Sequence, residues 1–106
     1  MTDFSSTRSF PQTGVGVVEL TGEVDLYTAP RFKEDLVATI ETGVARVVID
    51  LSRVTFIDST ALGVVISGVK RMREADGELY VVASSRPVTR NLSRADMPTV
   101  LKMRTL

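Results

Sequence analysis

Residues 54–66, Val54-Thr-Phe-Ile-Asp58-Ser59-Thr60-Ala-Leu-Gly63-Val-Val-Ile66, decide the fold. An apolar run stops at Asp58-Ser59-Thr60, and a helical pattern begins directly afterwards. Ser, Thr, Asp and Asn are favoured at helix N-caps, because a side-chain oxygen there satisfies an orphan backbone N–H. The stretch therefore reads as an extended segment delivering two hydroxyls, Ser59 and Thr60, to a helix N-terminus. Such an end carries partial positive charge and suits an anion, phosphate included. A serine placed there is either a plain cap or a switch that can carry phosphate.

Downstream, from Thr60 to Ala75, Leu62, Val65, Ile66, Val69 and Met72 recur as one apolar arc of a helix. Ala61, Val64, Gly68 and Ala75 form a neighbouring strip of small side chains, with Lys70, Arg71 and Glu74 on the far side. Upstream, Arg46 to Leu51 is a β-branched run of the kind found in buried central strands. Before it, Phe32, Leu36 and Ile40 repeat at helical spacing with Val37 beside them, while Arg31, Lys33, Glu34 and Asp35 face water. That helix is expected to start at Ala29-Pro30 under a Thr28 cap and to end at Gly43. Gly22 to Thr28 reads as a loop of alternating acidic and apolar residues.

Gly16 to Thr21 alternates as a strand, with Val18 and Leu20 on one face and Val17 and Glu19 on the other. Residues 1–7 are polar apart from Met1 and Phe4 and are expected to fray or form a short edge strand. If Thr7 to Phe10 is extended, a turn at Gln12-Thr13-Gly14 makes an antiparallel hairpin. Past the second helix, Ala75-Asp76-Gly77 is a stop, Glu78 to Ala83 a buried strand, and Pro87 to about Ala95 a short helix carrying Val88 and Leu92. Asp96-Met97-Pro98 breaks it, and Val100 to Met103 reads as a last edge strand. Helices alternating with strands imply right-handed crossovers and parallel neighbours. The expected fold is one α/β domain over residues 1–106. It has a small mixed, mostly parallel sheet, helices mainly on one face, and an N-terminal antiparallel hairpin.

Composition narrows the chemistry. Thirteen Lys plus Arg balance thirteen Asp plus Glu, so the net charge is zero and no basic field serves non-specific nucleic-acid binding. No apolar run approaches the roughly 20 residues that cross a bilayer, and the opening residues lack the pattern of a secretory signal. A cytoplasmic protein is expected. Cysteine and histidine are both absent, which removes disulfides, thiolate nucleophiles, the usual zinc ligand sets and any imidazole base. A Ser-His-Asp hydrolase is impossible within the chain. An enzyme with Ser59 as nucleophile would have only carboxylates and lysine as bases. No catalytic residue, cofactor or metal site is expected.

Two segments together carry a family resemblance. Gly22-Glu23-Val24-Asp25-Leu26-Tyr27-Thr28-Ala29-Pro30, followed by Phe56-Ile57-Asp58-Ser59-Thr60-Ala61-Leu62-Gly63-Val64, resembles bacterial anti-sigma factor antagonists, which are single STAS domains. The likeness runs from about Val17 to Met103. It implies that Ser59 is the phosphorylation site and that the anti-sigma factor is a serine kinase of the histidine-kinase-like ATPase fold, holding its own ATP. It also implies that the unphosphorylated antagonist binds this kinase and frees the sigma factor, and that a metal-dependent protein phosphatase reverses the modification. A stress-sensing assembly or the accessory part of a transporter is the alternative setting. The sequence departs from the family's pattern at Ala61 and Asp96, where glycine is common, and it stops at Leu106, before a terminal helix many relatives carry.

Each candidate residue also has a plainer reading. Asp58 either caps the helix or orients the Ser59 hydroxyl for a kinase; Thr60 is a second acceptor or a capping residue. Glu23, Asp25 and Thr28 form a solvated loop and cap, or an acidic surface beside Ser59 that touches the partner. Ala61, Val64 and Gly68 pack on a neighbouring helix, or form an apolar strip at the centre of an interface. With Leu62 and Gly63, Ala61 and Val64 complete the expected partner-binding set. The free form is expected to be a monomer without direct contact to nucleic acid or membrane.

Overall fold

The computed structural model describes residues 3–94 and 101–105. Strands β1 (Ser5–Gln12) and β2 (Val15–Val24) form the antiparallel hairpin, turning at Thr13 and Gly14. β2 then pairs in parallel with β3 (Arg46–Ile57), β3 with β4 (Glu78–Ala83), and β4 with β5 (Leu101–Thr105). The sheet order is β1-β2-β3-β4-β5. Helices α1 (Ala29–Glu41), α2 (Ser59–Glu74) and α3 (Arg86–Arg94) fill the connections. This is the mixed, mostly parallel α/β sheet expected, with a five-stranded count.

Alternation along the strands decides which face is covered. Val18 and Leu20 on β2, Val47, Ile49 and Leu51 on β3, and Leu79, Val81 and Ala83 on β4 are all buried in one cluster. Their neighbours Val17, Val48, Asp50, Tyr80 and Val82 are only half-buried, and Glu19 is exposed. α1 packs on β1, β2 and α2; α2 packs on β3 and β4; α3 packs against β3. Among the described residues no helix is long and apolar enough to cross a membrane.

Several expectations need correction. Of the two readings of the opening residues, the edge strand holds for Ser5 to Thr7, which do not fray but stand opposite Thr21, Leu20 and Glu19. Buried Ser6 donates its hydroxyl to Asp35 on α1, and Arg8 Nε donates to Thr39 Oγ1 at 3.0 Å. Asp35, expected to face water, is thereby half-buried, and it also pairs with Arg31 at 3.2 Å. Gly22 to Val24 are strand rather than loop, facing Val54, Phe56 and Ile57 across two register shifts. Extra residues in β3 re-aim its side chains there, the usual effect of a bulge.

On α1, Phe32 and Leu36 are buried as expected, but Thr39 joins them, and Val37 and Ile40 are only half-buried. On α2 the buried face is rotated from the expected arc. It comprises Ala61, Val64, Val65, Gly68, Val69 and Met72, with Leu62 and Ile66 half-buried. α2 lies in the angle between sheet and α1, so it buries two sides. Gly68 permits this, since a Cβ there would stand 2.8 Å from Leu36 Cδ2. α3 begins at Arg86, with Ser85 Oγ accepting from the Val88 N–H at 3.3 Å. The expected end at Ala95, the break at Asp96 to Pro98, and Val100 lie outside the described residues.

Candidate functional site

β3 ends beside β2, because the Asp58 N–H donates to the Val24 carbonyl at 3.2 Å. The backbone at Asp58 is extended (φ −105°, ψ −176°), and its Oδ1 accepts the Ala61 N–H at 3.0 Å. Its carbonyl takes the Leu62 N–H at 3.0 Å, closing the first turn of α2. Asp58 is therefore the N-cap. Ser59 and Thr60 are the first two residues of α2; both are exposed, and neither hydroxyl makes a hydrogen bond among the described residues. The capping reading of these two hydroxyls does not hold: Asp58 has taken that task.

The neighbouring loop is built on Asp25. Its Oδ1 accepts the N–H groups of Tyr27 (2.9 Å) and Thr28 (3.1 Å), and its carbonyl accepts that of Ala29 (2.7 Å). The Thr28 side chain makes no cap bond to α1. Its hydroxyl donates to the Glu23 carbonyl at 3.1 Å and accepts the Asp25 N–H at 2.9 Å. The Asp25 Oδ1 and the Thr28 hydroxyl thus hold the loop together from within. Glu23 is exposed, opposite Phe56 in the ladder. The loop pushes Leu26 and Tyr27 outward, 60% and 87% exposed.

Between this loop, α1 and α2 lies an open groove of about 470 Å³. Leu26, Pro30, Lys33, Thr60, Gly63 and Val64 line it. Gly63 is exposed, Val64 reaches the surface with 8% of its area, and Leu62 is half-buried. Ala61, expected on the partner face, is 1% exposed and packs inward, so it has no surface to offer. The reading of the sequence missed Leu26, Tyr27, Phe56, Pro30 and Lys33. Leu26 and Tyr27 carried one usable signal: they are apolar residues that fall in no helical or strand period.

The STAS domain profile matches residues 11–105. The anti-sigma-B factor antagonist of Staphylococcus epidermidis is 34% identical over 73 residues, which span 69% of this chain and 68% of that protein. The crystal structure of an anti-sigma factor antagonist from Mycobacterium paratuberculosis superposes with a TM-score of 0.86 at 24% identity, over 96% of this chain and 86% of that one. The Bacillus cell fate determinant SpoIIAA in its phosphorylated form gives 0.75 at 16% identity, over 95% and 92% of the two chains. Unphosphorylated SpoIIAA gives 0.73 at 18%, over 93% and 86%. These structural likenesses establish the fold. The chain belongs to the STAS domain family, in the group of anti-sigma factor antagonists, which are non-enzymatic regulators.

Proposed function

We propose that the chain is a phosphorylation-controlled partner switch. Unphosphorylated, it binds an anti-sigma factor that is also a serine kinase and brings its own ATP, and so releases the sigma factor. Phosphorylation of Ser59 by that kinase ends the binding, and a protein phosphatase restores it. The chain works in the cytoplasm, as a monomer when free, without cofactor and without touching nucleic acid or membrane.

One observation carries this reading. Ser59 is exposed at the head of α2 and its hydroxyl makes no hydrogen bond among the described residues, while Asp58 does the capping. A phosphate adds roughly −1.5 to −2 charge, and a helix N-terminus accommodates it. The block is therefore local: bulk and charge arrive at the rim of the groove without refolding. In support, SpoIIAA matches this fold in both its phosphorylated and unphosphorylated forms. In this reading Asp58 sets the direction of the Ser59 side chain, Asp25 and Thr28 act by presenting Leu26 and Tyr27, and Glu23, Thr60, Leu62, Gly63 and Val64 complete the contact surface.

The test is incubation with the anti-sigma kinase and Mg-ATP, followed by intact mass and site mapping. One added phosphate on Ser59 is expected, none on Ser59→Ala, and Ser59→Ala should stay bound to the kinase. Phosphate placed elsewhere, or a phosphorylated form that binds as tightly as the unmodified one, would refute the switch.

A further inference from the structure

The groove beside Ser59 does not end at Val64. A second depression, reaching Val37, Ala38 and Arg71, shares Pro30 and Lys33 with it. Together they make one trough along the α1–α2 seam. From Thr60 to Arg71, α2 advances about 16 Å, or about three turns of helix. The two ends differ in charge. Lys33 is the one ionisable side chain lining the Ser59 end among the described residues, whereas Glu34, Glu41 and Arg71 join it in lining the second depression. Lys33 is exposed and forms no ion pair among the described residues. Asp25 and Asp58 line neither depression, and the Oδ1 of each accepts backbone N–H groups.

An apolar trough of helical length with an unpaired cation at its midpoint fits one kind of ligand, an amphipathic helix with an acidic residue on its inner edge. We propose that the trough receives such a helix from the anti-sigma factor, its apolar side chains down and a carboxylate opposite Lys33. The inference rests on the partner-switch reading and adds the residue that selects the partner. Phosphate on Ser59 adds negative charge beside Thr60 at one end of the trough, and it repels the carboxylate of the incoming helix.

The experiment compares affinities for the anti-sigma kinase that phosphorylates Ser59, using the wild-type chain, Lys33→Glu, Lys33→Gln and Lys70→Glu. Lys70 is exposed on α2 but lines neither depression, so it carries the same charge change outside the trough. Lys33→Glu should weaken binding at least fivefold more than Lys70→Glu, and Lys33→Gln should flatten the salt dependence. A smaller gap between the two charge reversals overturns the trough as the docking site while leaving the switch standing. A wild-type chain that no such kinase binds or phosphorylates defeats both.

Discussion

At the head of α2, the Oδ1 of Asp58 accepts the Ala61 N–H at 3.0 Å, and the Oδ1 of Asp25 gathers two N–H groups in the adjoining loop. Each carboxylate satisfies backbone donors that would otherwise be orphaned. Asp58→Ala should cost about 0.5–2 kcal/mol in urea denaturation, and Asp58→Asn should retain most of that stability because an amide oxygen can cap as well. Equal losses in the two variants would show that charge, not capping, holds the turn. The position of Asp58 and Ser59 at a strand-to-helix junction was legible in the sequence, because a strand-like run meeting a helical period at Asp-Ser-Thr has few structural meanings. Which oxygen caps was not legible, since all three residue types are good N-caps. Leu26 and Tyr27 were hidden for a different reason: their exposure follows from hydrogen bonds that Asp25 and Thr28 make only once the loop is closed.

The two glycines of α2 show how one residue type serves two elements differently. Nothing lies within 4 Å of a Cβ built on Gly63, whereas one built on Gly68 meets Leu36 at 2.8 Å and Leu79 at 3.2 Å. Both substitutions to alanine gain about 0.5–1 kcal/mol of helix propensity. Gly63→Ala should therefore be stabilising by that amount. Gly68→Ala should be net destabilising, since forcing bulk into a packed seam costs about 1–3 kcal/mol and Leu36 is itself buried. Chemical denaturation of both variants decides it: the same sign for the two would mean that the α1–α2 seam yields freely. Element order was readable because helical and strand periods alternate cleanly along the chain. The strand character of Gly22 to Val24 was not, because the register shifts against β3 disturb the period-two pattern. The placement of Ala61 was mistaken because a small residue between two apolar positions fits an interface and a helix–helix seam equally well.

At the scale of the molecule, β1-β2-β3-β4-β5 repeats the order of synthesis. Each strand is laid against the edge left by the one before, so no strand has to be inserted between two already in place. A ribosome adding about 5–20 residues per second needs seconds for 106 residues, whereas a hairpin closes in about 1–10 μs. The chain can thus assemble as it emerges, with the Ser59 turn formed on β2 and β3 before β5 has been made. Pulse-labelling of refolding chains should find amide protection in β2 and β3 no later than in β5; the reverse order would contradict it. The consequence is a division of inheritance. The half of the sheet that frames the Ser59 turn is committed first, and the β5 edge is laid on a framework already in place.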